Sequence, residues 1–328
     1  MRNLCQKDKA KEKTKKKRKF RRGMRTIPYD YEAAYNKALE DMHEWLAAQM
    51  LKPVRTAYAL KEIRAGEQLE VEIYPQFFRR EDIPEGLPKK NNKEAQGRLN
   101  DKNARKKVER LINANFGDND LWCTFTYDDA HAPEDGDIDA AIKNVQRFIG
   151  RLNYHRRKLG LPNVKYIYVT EYDPHAKIRW HHHMVMDGLL DRDTIESLWK
   201  NGSRSQIRRL EKDENGLSGM ANYIVKEKNR IPYEKRWNSS KGLKKPEEKV
   251  IHNKQPKKGV GSYKKIQSYV DKMVRQRDSI KEQMESWYPE YLFTNANVYY
   301  NDFNARFYIH ARLRKREGEY RNAIRKKE

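Results

Sequence analysis

The spacing of apolar residues changes abruptly along the central third of the chain, and each change predicts a new element. In Leu121–Tyr127, Leu121, Cys123, Phe125 and Tyr127 alternate with Trp122, Thr124 and Thr126, the period of two expected of a strand. From Asp139 to Leu159 the period lengthens: Ile142, Val145, Ile149 and Leu152 form one helical stripe, and Arg147, Arg151, Arg156 and Arg157 lie on the other side. Asp135-Gly136-Asp137 turns the chain and supplies a cap ahead of that helix, and Gly160 and Pro162 stop it. A β-branched and aromatic run from Val164 to Thr170 follows, broken by Asp173-Pro174 and resumed at Trp180–Met186. Asp191–Trp199 predicts a short helix and Ser203–Leu210 a strand. Gly219–Lys228 predicts a further helix, with Ser218 placed to cap it.

The flanks are less regular. Tyr31, Tyr35, Leu39, Met42 and Leu46 predict a helix over Tyr29–Leu51, and Val54–Phe78 reads as strand. Arg79–Asp101 reads as a charged connector, and Asn103–Asn113 as a short basic helix. Beyond the centre, 229–262 predicts an extended basic arm, Tyr263–Tyr288 one polar amphipathic helix, and Val298–Leu313 a hairpin turning near Asp302–Asn304. The divisions that follow are a basic tail over 1–28, a mixed region over 29–117, a central domain over 118–230, and a C-terminal arm and α/β extension over 231–328.

Charge narrows the partner. The chain carries a net +24, and its first 25 residues hold thirteen Lys and Arg against two acids, the balance of a protein that meets a polyanion. No run approaches the ~18 apolar residues of a membrane span, so no membrane association is expected. Two cysteines, Cys5 and Cys123, give neither a disulfide framework nor metal-type spacing, which suits a reducing cytoplasm.

The chemistry concentrates at His181-His182-His183. In a strand, side chains at i and i+2 leave the same face. His181 and His183 therefore converge, and His182 points the other way with Met184 and Met186. A carboxylate, Glu171, stands on the preceding strand on the face of Ile167 and Val169, so the three form a potential ligand set for a divalent cation with open positions. On the later helix Tyr223 and Lys226 are one turn apart and face the same way. Arg147, Arg151, Arg204 and Arg208 are the expected phosphate contacts.

Thr124-Phe125-Thr126-Tyr127, Glu171, His181-His182-His183 and Tyr223-Ile224-Val225-Lys226, in that order, resemble the rolling-circle replication initiators of the HUH endonuclease superfamily. The likeness is greatest to replication-associated proteins of bacterial plasmids, phages and integrated elements. It covers about a third of the chain, with further similarity at Trp237–Pro246 and Tyr299–Arg312. The family's middle position between the two histidines is usually hydrophobic, whereas here it is His182.

The resemblance implies an α+β fold in which an antiparallel sheet of about five strands with flanking helices holds Mg²⁺ or Mn²⁺. His181 and His183, with Glu171, would be the ligands. It implies that Tyr223 attacks a phosphodiester of single-stranded DNA at a replication origin, aided by Lys226, leaving a 5′-phosphotyrosyl bond and a free 3′-OH. Host helicase and polymerase would be partners, and the site of action the bacterial cytoplasm. A relaxase or single-tyrosine transposase shares the chemistry and differs in its DNA target. A viral-type initiator with its own helicase would need a phosphate-binding Gly-x-x-x-x-Gly-Lys-Ser/Thr loop, and none occurs. The alternative from another class is a non-catalytic nucleic-acid-binding protein whose histidines hold structural zinc.

Overall fold

The computed structural model describes residues 31, 37–38, 57–77, 93–175, 177–224, 237–252, 266–301 and 306–316. Their strands form two antiparallel sheets, one of five strands and one of six. The expected α+β fold, with a five-stranded antiparallel sheet flanked by helices, is what the central segment adopts.

The inner sheet comprises β4 (Leu121–Thr126), β5 (Tyr166–Asp173), β6 (Ile178–Met186), β7 (Ser205–Arg209) and β8 (Asn238–Ser239), in the order β7-β4-β6-β5-β8. Its alternation sorts side chains onto two faces. Cys123, Phe125, Met184 and Met186 face a layer made by α2 (Ile138–Lys158) and α3 (Arg192–Leu198), where they meet Val145, Phe148, Leu152 and Ile195. Trp122, Ile167, Val169 and Val185 face the opposite layer. There α1 (Lys93–Asn115) contributes Val108 and Ile112, and α4 (Ser218–Ile224) contributes Ala221 and Ile224.

Helix α2 begins as expected, with the Asp137 carboxylate accepting from the Ala140 amide. One of its arginines departs from expectation. Arg156 is fully buried rather than on the solvated side, because it extends the stripe of Val145, Ile149 and Leu152 by one more turn. Its guanidinium is satisfied there by both carboxylate oxygens of Asp187, which also accepts the Lys165 amide at 2.6 Å.

The outer sheet joins segments far apart in sequence. It comprises β1 (Lys37–Ala38), β2 (Ala57–Ala65), β3 (Gln68–Gln76), β9 (Glu247–His252), β10 (Tyr291–Asn301) and β11 (Arg306–Lys315), ordered β1-β10-β11-β3-β2-β9. The stretch read as one strand-like run over Val54–Phe78 is thus a hairpin, turned at Gly66 with φ +60°. A Cβ on Gly66 would stand 2.1 Å from the Asn113 carbonyl oxygen, so the close approach of α1 also excludes any larger residue. The C-terminal hairpin is present as β10 and β11. The predicted helix over Tyr29–Leu51 lies outside the described residues except at Tyr31 and Lys37–Ala38, and the latter pair is strand, bonded to β10.

Three helical boundaries differ from expectation. Helix α1 begins at Lys93, inside the stretch read as a connector. The single helix over Tyr263–Tyr288 is two, α5 (Ile266–Arg275) and α6 (Ser279–Trp287). Ser218 is the first residue of α4, and its hydroxyl donates to Glu109 of α1 and to the Asn215 carbonyl instead of capping its own helix.

The outer sheet is as two-faced as the inner one. Leu69, Val71 and Ile73 of β3 pack with Ile309, Ala311 and Leu313 of β11 beneath α5 and α6. The intervening Glu70 and Glu72 point to the other side and are buried against α1. Arg110 of α1 bonds Glu70 at 2.8 Å and Glu72 at 3.0 Å, Lys106 bonds Glu72 at 3.0 Å, and His310 reaches Glu70 at 3.0 Å. Helix α1 is therefore a shared wall, with an apolar face on the inner sheet and a charged face on the outer one.

Burial alone would raise the pKa of Glu70, but hydrogen bonds and charge from His310 and Arg110 hold it well below the usual carboxylate range. Glu72 is lowered against the same burial by the charges of Lys106, His310 and Arg110 and by the Tyr31 hydroxyl. Both carboxylates thus contribute stability that is present above their unfolded pKa of ~4.3 and lost as pH falls below it. Removing the guanidinium by Arg110→Met strands two buried charges and is expected to cost about 3–5 kcal/mol in urea unfolding at neutral pH. The variant should also show a shallower loss of stability between about pH 5 and pH 2.5. An acid limb unchanged from wild type would refute the assignment of that limb to these carboxylates.

Candidate functional site

Strand β6 lies between β4 and β5, and its register fixes the site. His183 stands opposite Thr124 on one side and Val169 on the other, and His181 stands opposite Thr126 and Glu171. Cross-strand partners share a face, so Glu171, His181 and His183 project together on the side covered by α1 and α4. One ligand atom from each lies within 4.8 Å of the others. The Nε2 atoms of the two histidines are 3.2 Å apart, and His181 Nε2 is 3.5 Å from a Glu171 carboxylate oxygen.

The remaining ring nitrogens are held from behind. His181 Nδ1 contacts the Arg179 carbonyl oxygen at 2.9 Å. A carbonyl only accepts, so Nδ1 carries the proton and Nε2 presents its lone pair toward the cluster. His183 Nδ1 pairs with the Thr124 hydroxyl at 3.0 Å, and the Trp122 ring stacks on the same imidazole with centroids 5.2 Å apart. Such outer partners fix ring orientation in metal sites. Two imidazoles and one carboxylate make a nitrogen- and oxygen-donor set suited to a divalent cation, with coordination positions left for water or phosphate oxygens.

A structural zinc site would be expected to close with four ligands, commonly thiolates. Cys123 is on the far face of the sheet, buried, with its thiol pushed up by that burial. It offers nothing to this cluster.

A second convergence of the same residue types, Glu70, Glu72 and His310, is different in kind. Arg110 and Lys106 already hold its carboxylates, and a dication placed there would face two fixed positive charges.

His182 leaves the opposite face, as alternation predicts, but it is no spectator. It is fully buried, with Nε2 paired to the Tyr127 hydroxyl at 2.8 Å and Nδ1 to the Thr170 hydroxyl at 2.9 Å. Burial, reinforced by His181 and His183, pushes its pKa down to about 3, so the ring is neutral.

Tyr223 is near the end of α4, 46% exposed, with its ring centroid 6.3 Å from that of His183 and 5.8 Å from that of Trp122. Lys226 lies outside the described residues. Of the four arginines expected at phosphates, Arg208 is opposite Trp122 and so shares the face of the cluster, on the exposed edge strand β7. Arg204 is exposed just before β7, and its carbonyl accepts from the Thr126 hydroxyl. Arg147 and Arg151 lie on α2, across the sheet from the cluster, and Arg151 donates to the Leu198 carbonyl at 2.8 Å. Thr124 and Thr170 were not legible as partners of histidines, because their roles depend on cross-strand register.

Residues 120–228 match the model of a replication-associated protein family, the one typified by the protein ORF2. The match covers β4 to β7 and α2 to α4, about a third of the chain, and includes every member of the cluster together with Tyr223. No curated protein and no solved structure matches the chain. The partial family match and the cluster together support a metal-dependent nuclease or strand transferase of HUH type, one that nicks and rejoins nucleic acid. Among the described residues no helix is long and apolar enough to cross a membrane.

Thr124→Val preserves shape and removes the hydroxyl behind His183, and is expected to weaken Mn²⁺ binding by about tenfold in calorimetry. His181→Ala and His183→Ala should abolish the heat of binding altogether. His182→Ala should cost on the order of 3 kcal/mol of stability, because it leaves a cavity and two buried hydroxyls without their partner. Mn²⁺ binding unchanged in the His181 and His183 variants would show that the ion binds elsewhere.

Proposed function

We propose that this protein nicks and rejoins single-stranded DNA through a covalent 5′-phosphotyrosyl bond to Tyr223, starting rolling-circle replication of a plasmid, phage or integrated element. The observation that carries the reading is the position of Tyr223, half-exposed and beside His183 of the three-ligand cluster. It agrees with the family match over 120–228 and with the net charge of +24.

The Tyr223 hydroxyl attacks the scissile phosphorus, the Oη–P bond forms, the P–O3′ bond breaks, and the departing 3′ oxygen takes up a proton. An aryl oxide is a good leaving group, so a 3′-OH can later attack the same phosphorus and release the tyrosine. Bound Mg²⁺ or Mn²⁺ would neutralise charge on the phosphate oxygens. His181, His183 and Glu171 would hold that ion, and Thr124 and the Arg179 carbonyl keep the two imidazoles oriented. Lys226, one helical turn beyond Tyr223 in sequence, would supply positive charge as the phenol loses its proton. Arg204 and Arg208 would contact backbone phosphates from the β7 edge. The 3′-OH left by the nick would prime a host polymerase, with a host helicase opening the duplex in the bacterial cytoplasm.

Incubation with labelled single-stranded origin DNA and Mn²⁺ should give a species that keeps its label on a denaturing gel. Tyr223→Phe retains the ring against Trp122 and His183, so folding and DNA affinity should persist while the adduct falls at least a thousandfold. Lys226→Ala should slow the reaction without erasing it. A DNA-linked peptide containing a different tyrosine would end the proposal.

A further inference from the structure

Beyond the segment that matches the family model, a cavity of about 190 Å³ opens between α1 and strands β10 and β11. Its wall is basic: Lys102, Arg105 and Lys106 reach it from α1, and Arg312 from β11. The spacing 102, 105, 106 and 109 puts all four α1 residues of the wall on one helical face, the face turned from the inner sheet. The charges around the cavity do not cancel. Arg312 pairs with Glu109 at 3.0 Å, Lys106 with Glu72 at 3.0 Å, and Arg110 with Glu70 and Glu72. Leaving His310 aside, five cations (Lys102, Arg105, Lys106, Arg110, Arg312) stand against three carboxylates (Glu70, Glu72, Glu109) among the described residues, an excess of two positive charges.

Arg105 is the member most suited to a ligand. Its Nε is shielded from solvent and has no hydrogen-bond partner among the described residues, an expensive state for a charged donor. Lys102 lies 4.8 Å over the ring of Tyr299, which also lines the cavity and gives it an aromatic side wall. Guanidinium and ammonium groups around an open, polar hollow with one aromatic wall suit a phosphate ester.

We infer that this cavity binds a phosphate of the nucleic-acid strand away from the scissile step, with Arg105 as its principal contact. The choice of a strand over a free phosphate rests on the nucleic-acid reading above, and the site would act as an anchor that positions without reading sequence.

The test uses the full chain and a fluorescent single-stranded oligonucleotide in EDTA, where binding is read by anisotropy and no cleavage is needed. Arg105→Gln should weaken binding about tenfold at ~0.1 M salt. It should also lower the slope of log affinity against log salt by about 0.7, the value for one lost contact to a single strand. Lys102→Gln should act in the same direction, and both losses should be equal across unrelated sequences. Lys143→Gln removes an exposed charge from α2 and should leave the slope unchanged. Equal slopes for wild type and Arg105→Gln, or an equal loss in Lys143→Gln, would overturn the inference.

Pyrophosphate serves as the free-phosphate probe in a thermal-shift assay. Stabilisation by pyrophosphate that Arg105→Gln abolishes, with oligonucleotide binding untouched, would mean a free phosphate ligand and would overturn the strand assignment. Adduct formation with Mn²⁺ is measured separately, so a wild type that forms no adduct removes the nicking reading without altering the EDTA result.

Discussion

The site depends on the register of one strand. With a period of two, a slip of β6 by one residue would carry His181 and His183 into the packed layer of Phe125, Phe148 and Trp199, and His182 out to the cluster. His182 opposes that slip. Its buried ring takes a hydroxyl at each nitrogen, from Tyr127 at the end of one neighbouring strand and from Thr170 on the other. A hydrophobic residue would fill the same space but could not distinguish one register from the next by hydrogen bonding. The third imidazole therefore serves the other two by fixing where they stand.

Helix α1 carries the next level of organisation. Val108 and Ile112 cover the inner sheet beside α4, and Arg110 turns the other way into Glu70 and Glu72. Its end is held as closely. Asn113 accepts the Leu217 amide at 2.9 Å just ahead of α4, and Asn115 exchanges hydrogen bonds with the backbone of Lys244. The helix that bears Tyr223 is thus braced on a helix whose opposite side is locked to the outer sheet by ion pairs.

Local pattern made much of this legible. The alternation in Leu121–Tyr127 and Trp180–Met186, and the stripe through Val145, Ile149 and Leu152, depend only on neighbours in sequence, and those elements lie within a residue or two of expectation. What escaped depends on distant partners. Arg156 reads as a surface arginine until Asp187 is placed beside it. The charged stretch after Lys93 has no apolar period to announce a helix, and its side chains at 105–110 find their carboxylates on a strand more than thirty residues earlier. The two ligand sets were unequally visible for the same reason: His181 and His183 are two residues apart, whereas Glu70 and His310 meet only through the pairing of β3 with β11.

That pairing imposes an order on synthesis. Ile73 of β3 finds Ile309 of β11 only after the ribosome has produced the entire central segment, and β2 likewise waits for β9. The strands β4 to β8 need no residue beyond Ser239, so the inner sheet can close while β2 and β3 still form an isolated hairpin. Such a hairpin is marginal on its own, and its exposed edges and apolar face are open to other chains in the interval. The two buried glutamates on its far face blunt that hazard, since a carboxylate at every second position makes stacking against a second copy repulsive until Arg110 and His310 arrive to neutralise them.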